Sequence, residues 1–405
     1  MPLRLATRMN DVAPSATKAM TARARELWSA GRDILVLSQG EPDFDTPANI
    51  CDAGVAAIRK GHTRYTPTAG VPELREAVAA KLKRDSDLDY GADAVVVGCG
   101  AKQVIFNALL ATLNPGDEVV IPTPCWVSYP EMVRLVGGTP VLVGGDPAAG
   151  FKLSPERLES SITPRTRWLI LNSPSNPTGA VYSASELAAL GDVLRRHEQV
   201  SVLTDDIYEK LVYAPAEFTS FAAAVPEMRD RVLIVNGVSK AQAMTGWRVG
   251  YGVGPLGLIR AITTIQGQTS SHTSSISQHA AIEALNGDQT YLPGFISAFH
   301  ERRDHVCELL NRAPGLDCRT PDGAFYAFVS CRALLGSLRH DGQALRTDVD
   351  FATHLLEKFD VAVVPGTNFL ADGYFRVSFA ASPDTLERAC RRIQTACETL
   401  VREVA

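Results

Sequence analysis

The chain carries eight cysteines but no Cys-x-x-Cys pair, so it lacks the usual spacing of a structural zinc site or a disulfide framework. Reduced thiols of this kind fit a cytoplasmic protein best. Net charge is −5 and the basic residues are dispersed, which leaves no stripe for nucleic acid and no polybasic patch for a membrane surface. Residues 1–15 contain no apolar core of signal-peptide length, and no later stretch approaches a membrane span. Internal repeats, low-complexity tracts and long flexible linkers are absent too. What is present in quantity is hydrophobic residue, 45% of 405, enough for a sizeable core and for two or three domains.

Those apolar residues fall in short runs that alternate with helical patterns. Asp117–Ile121, Thr139–Val143, Trp168–Asn172, Val200–Asp205 and Arg231–Val235 read as strands, separated by helices near 126–136, 155–162 and 184–197. Such alternation predicts an α/β domain whose mostly parallel sheet is covered on both faces. Ligands of these sheets sit beyond the carboxyl ends of the strands, where Trp126, Asn176, Asp205 and Tyr208 fall. Residues 313–405 mix shorter strands with helices at 348–359 and 383–403, a different kind of region. The expected division is an N-terminal arm with part of a small domain over 1–45, a large domain over 46–295 and a small α+β domain over 296–405. The arm contains Pro14-Ser15-Ala16-Thr17 and leads to a helix over 19–30. At 46–47, Thr-Pro reads as a helix cap followed by proline at the first helical position.

One stretch holds a charge that needs a reason. From Val232 to Gly254 two apolar strands, Val232–Asn236 and Arg248–Val253, flank a turn with Lys240. A desolvated lysine loses its proton more readily, and a neutral amine can form a Schiff base with an aldehyde. Arg248 suits a phosphate, and Ser239 adds a hydroxyl. Aldehyde-trapping lysine beside phosphate-binding arginine points to pyridoxal 5′-phosphate (PLP). Taken alone, two such cations are more often a snorkelling lysine and a surface ion pair, and it is the neighbouring residues that reverse this. Upstream, Gly98-Cys99-Gly100-Ala101-Lys102 ends a strand and opens a helix, and a helix start is an anion site. Gln103 stands where a dinucleotide motif has its third glycine, which speaks against a nicotinamide enzyme.

Ser239-Lys240 followed by Ala-Met-Thr-Gly-Trp-Arg-Val-Gly-Tyr closely resembles the cofactor-lysine segment of the class I/II aminotransferases, particularly the prokaryotic aspartate aminotransferase subgroup. The resemblance runs from about Pro14 to the C-terminus and implies the PLP-dependent type I fold, with a seven-stranded large-domain sheet. It implies Lys240 as the cofactor lysine and proton carrier, Asp205 at the pyridine nitrogen, Asn176 at the phenolic oxygen, and Tyr208 as a further catalytic and cofactor-binding residue. Gly100, Ala101, Ser239 and Arg248 would cradle the phosphate, with Tyr65 reaching it across the interface of a homodimer. Trp126 would stack on the ring, with simple core burial as the lesser alternative. Asp206, beside Asp205, reads as a helix cap. On the substrate side the resemblance implies Arg376 at the α-carboxylate and the Gly40 backbone N–H near it. A plain strand-to-helix turn is the other reading of Gly40. The segment Gly-Ala-Lys-Gln implies Lys102 at a distal carboxylate, hence aspartate or glutamate as donor and a 2-oxo acid as acceptor.

Two positions depart from the family pattern. Gly237 stands where other relatives have a phosphate-binding serine, and Ser270-Ser271-His272-Thr273 differs from the common Thr-Ser-Asn-Pro. Prephenate, aromatic or broad specificity is the alternative, since relatives with this pattern vary. A PLP-dependent lyase and a non-catalytic PLP-binding protein are further readings. The set Lys240, Asp205 and Arg376 favours an enzyme, and no DNA-binding region is appended.

Overall fold

The computed structural model describes residues 3–10, 12, 16–339 and 341–400. Pro14 and Ser15 of the expected arm, and 401–403 of the expected last helix, lie outside the described residues. The main sheet has seven strands in the order Val95–Gly98, Gly250–Val253, Val232–Gly237, Ser201–Asp205, Thr166–Asn172, Glu118–Thr123, Thr139–Gly144. From Val232–Gly237 onward all neighbours are parallel, while Gly250–Val253 runs antiparallel to both of its partners. Nearly every residue of the inner strands is buried, because helices cover both faces.

A second, four-stranded antiparallel sheet is ordered Val364–Pro365, Tyr374–Ser378, Tyr326–Ser330, Asp317–Cys318. It shares a core with the helices Leu292–Arg312 and Pro383–Glu398. The N-terminal part of the chain joins this body rather than the main sheet. Leu35–Val36 pairs in parallel with Val361–Ala362, and the helix Ala16–Ser29 packs Ala24 and Leu27 on Leu356 and Ala362. Arg32 to Asp360 and Arg23 to Glu357 tie the same segment down.

Three local expectations need correction. Thr46 does not cap the helix Ala48–Arg59: its hydroxyl donates to Ala243 O at 2.7 Å and accepts from Trp247 Nε1 at 3.1 Å. A partner 197 residues away outcompeted the local bond. Asp206 is no helix cap either, being buried and bonded by the hydroxyls of Thr204 and Ser220. Arg248 lies outside the strand that starts at Gly250, in a turn with φ +56°, a conformation strained for a residue with a side chain.

Candidate active site

A cavity of about 1210 Å³ opens beyond the carboxyl ends of the parallel strands, walled by the main sheet on one side and the antiparallel sheet on the other. Eleven of the sequence-predicted residues line it: Gly40, Ala101, Lys102, Trp126, Asn176, Asp205, Tyr208, Ser239, Lys240, Arg248 and Arg376. Gly100 abuts it through Ala101. Tyr65 does not reach it, standing 92% exposed with its ring edge-on to His272 at 5.6 Å.

At the floor, Asp205 ends the strand Ser201–Asp205 and is buried. Its Oδ2 accepts from the Tyr129 hydroxyl at 2.7 Å and its Oδ1 from the Ile207 N–H at 3.3 Å. Burial pushes the carboxyl up to a pKa of about 6, against the Tyr129 bond, which acts to lower it. Asn172, paired in register with Asp205, donates from Nδ2 to the Asp205 carbonyl at 2.8 Å. Its Oδ1 accepts the Asn176 N–H at the same distance.

Lys240 follows the strand Val232–Gly237, lines the cavity and is half-buried. Protein crowds the ammonium closely enough that lost hydration, with the Arg376 charge adding to it, lowers the pKa to about 8. The Nζ donates to the Gly40 carbonyl at 2.6 Å. This contact uses the Gly40 carbonyl and leaves its N–H, the group expected near the substrate, out of the bond.

Arg376 comes from the strand Tyr374–Ser378 and is buried with no ion pair among the described residues. Its Nη1 donates to Asn176 Oδ1 at 2.9 Å and its Nη2 to the Ser38 carbonyl at 2.8 Å, while Nε has no partner. The guanidinium lies over Tyr326, 4.3 Å from the ring centre, and burial lowers its proton affinity. A buried cation with only neutral partners is a site for an anion. Beside it the Tyr208 and Tyr326 hydroxyls meet at 2.9 Å.

At the rim, Gly100 opens the helix Ala101–Thr112 with φ +84°, and a Cβ there would run into the Arg248 guanidinium. At Gly250 a Cβ would strike the Ala101 backbone N. Helix start and arginine thus meet in a cradle that side chains would fill. Lys102 donates to Ser128 Oγ at 3.1 Å and sits 4.5 Å above the Trp126 ring. At the Gly237 departure a Cβ would come within 2.8 Å of the Val249 carbonyl, so a serine there would require the backbone to shift. The departure at His272 lies against Tyr65, away from the cavity lining.

Sequence reasoning missed Tyr129, Tyr326, Asn172 and Ser38. The i, i+3 spacing of Trp126 and Tyr129 was a usable signal. Tyr326 and Ser38 had none, because they arrive through the second sheet and the N-terminal strand. Among the described residues no group of His, Cys, Asp and Glu could hold a metal ion, and no helix is long and apolar enough to cross a membrane.

The sheet order and the cavity at its switch point define an enzyme of the PLP-dependent transferase type I fold, and more narrowly an aminotransferase. Residues 32–393 match the family model described as aminotransferase class I and II, and the chain belongs to that family. It is 53% identical over 393 residues to a probable aspartate/prephenate aminotransferase of Rhizobium leguminosarum bv. phaseoli, covering 97% of this chain and 98% of that one. An aspartate/prephenate aminotransferase of Cereibacter sphaeroides is 52% identical over 389 residues, covering 96% and 97%. Among solved structures, the aspartate aminotransferase of Rhizobium meliloti superposes with a TM-score of 0.96 at 47% identity, covering 98% of this chain and all of that one. The Thermus thermophilus aspartate aminotransferase solved with maleate gives 0.91 at 40% identity, covering 97% and 100%.

Proposed function

We propose that this chain is a PLP-dependent aminotransferase that moves an amino group between aspartate or glutamate and a 2-oxo acid such as 2-oxoglutarate. The observation that carries the reading is Lys240, with its lowered proton affinity, in one cavity with the buried Asp205 and the buried, unpaired Arg376. The residues present fit PLP. Gly100, Ala101, Ser239 and Arg248 would hold its phosphate in a cradle kept open by the glycines at 100 and 250, and Trp126 would lie against the ring. Tyr208 and Asn176, whose Nδ2 is left when Oδ1 accepts from Arg376, would take the phenolic oxygen. When bound, PLP supplies an electrophilic aldehyde carbon and a ring that accepts the electron pair left at the substrate Cα.

Asp205 holds a proton at the ring nitrogen and so keeps that ring a strong acceptor. Arg376 grips the α-carboxylate through a bidentate pair and orients the Cα–H bond. Lys240 Nζ takes the Cα proton and returns it, a task suited to an amine whose pKa lies near neutral pH. Lys102, at the open end, takes the distal carboxylate, and the maleate of the Thermus structure is a dicarboxylate of that kind. Prephenate is the second reading, supported by the names of the relatives and by a cavity above the usual range for a small ligand. Tyr65 we place at the phosphate of a partner subunit in a homodimer, and the reduced, mostly buried thiols fit a cytoplasmic protein.

Borohydride reduction of the PLP-loaded protein followed by peptide mapping tests the cofactor site. The label is expected on Lys240, and a label on another lysine overturns the assignment. A panel of amino donors with 2-oxoglutarate as acceptor tests the reaction.

A further inference from the structure

Asp205 is one of few buried carboxylates among the described residues, and it receives a single strong donor. The Tyr129 hydroxyl reaches Oδ2 at 2.7 Å, whereas Oδ1 has only the longer Ile207 N–H at 3.3 Å. Tyr129 is itself 2% exposed, and its ring is clamped edge-on against Trp126 at 5.3 Å and 87°. A phenol so enclosed has one place to send its proton. Its own acidity is suppressed, by burial first and by the Asp205 charge second, so it stays a donor.

We propose that Tyr129 is a positioning residue for the transamination site: its phenol holds Asp205 Oδ2, keeps the carboxylate ionised and leaves Oδ1 to the ring nitrogen of the cofactor. This rests on the reading of Asp205 given above. The physical consequence concerns where a proton resides. A carboxylate that accepts a strong hydrogen bond competes less well for a further proton, so a proton shared with a ring nitrogen stays on the nitrogen. Without the phenol, the buried carboxylate keeps that proton for itself. The other ionisable groups around Asp205 do not replace Tyr129. Lys240, across the cavity, also favours the anion. Asp206 and Tyr208 on the same turn and Cys125 next to Tyr129 are all buried and offer no hydrogen bond to it.

The test is Tyr129→Phe, which removes one oxygen and keeps the ring against Trp126. In the cofactor-free protein, the infrared carbonyl band of protonated Asp205, assigned by its loss in Asp205→Asn, is followed against pH. The midpoint in Tyr129→Phe is expected to rise by on the order of one pH unit, the effect of one hydrogen bond to a charged group. An unchanged midpoint overturns the proposal, and it does so whether or not the PLP reading stands. Equilibrium dialysis with PLP is the second measurement. The affinity of Tyr129→Phe is expected to fall roughly threefold near pH 6.5 and to recover toward the unsubstituted value near pH 8.5, where Asp205 is ionised in both proteins. A loss equal at every pH marks a packing defect and counts against the proposal. Should the unsubstituted protein bind no PLP, the proposed function fails while the infrared result still decides the role of Tyr129.

Discussion

The floor and the rim of the cavity are built on different principles. At the floor Asp205, Arg376 and Tyr129 are buried, each held by partners far away in sequence, and lost hydration dominates their chemistry. At the rim Lys102 and Arg248 are exposed, and what shapes the place is backbone geometry: two glycines without Cβ atoms and a left-handed arginine. Electronic tuning needs a dry environment, whereas a phosphate or a distal carboxylate can be met by charge and N–H groups in water. Lys240 stands between the two, half-buried and with its amine on the Gly40 carbonyl.

The contrast predicts a ranking of effects. Lys240→Ala removes the proton carrier and should lower kcat by at least about a thousandfold, read in single-turnover assays with aspartate. A loss below tenfold would move the catalytic base elsewhere. Arg376→Ala removes a buried charge with no substitute nearby. It should reduce kcat/KM by about 30-fold or more for aspartate and aromatic donors alike, since every amino acid carries the α-carboxylate. Lys102→Ala acts at the wet end and strips one charge-assisted contact. It should cost dicarboxylates about ten- to a hundredfold and monocarboxylic donors little. If the ratio of the two specificity constants stays unchanged, Lys102 does not read the distal carboxylate and an aromatic or broad-specificity enzyme is the better description.

The smallest effects are on stability and concern the same two lysines. The folded-state pKa of Lys240, about 8, lies below its ordinary 10.5. The folded protein therefore binds fewer protons than the unfolded chain between those values, and stability gained there rises with pH. Below pH 8 the cost of the buried charge is felt in full. Lys240→Met should accordingly stabilise the cofactor-free protein at pH 7 by on the order of 1–2 kcal/mol, discounted because the cavity keeps Lys240 partly hydrated. That gain should shrink toward pH 10 in urea melts. Lys102→Met at the rim should stay within about 0.5 kcal/mol at both pH values. Equal behaviour of the two lysines would erase the distinction between floor and rim.

Legibility in the sequence follows the same division. The alternation of apolar runs and helical patterns anticipated the parallel strands within two residues, because each strand is buried on both faces and so reads locally. Lys240, Asn176 and Asp205 could be placed at strand ends for that reason. Contacts made across the fold could not. The bond from Tyr129 to Asp205 spans 76 residues and that from Tyr208 to Tyr326 spans 118. Thr46 shows the converse, a correct local cap signal overruled by Ala243. Arg248 was assigned to a strand because its neighbours are apolar, and nothing in the residue types announces a positive φ at an arginine.

The antiparallel strand Gly250–Val253 lies beside Val232–Gly237, so residues 238–249 form a single connection between two adjacent strands. Lys240 stands near the start of that connection and Arg248 near its end. Any ligand gripped by both closes the segment into a ring, and the segment cannot then open locally unless the ligand lets go of one end. Backbone amide exchange within 238–249 should therefore slow on PLP loading far more than exchange in the neighbouring strands, whose protection already reflects the global stability of the sheet. Occupancy of the site becomes readable as the breathing of one loop.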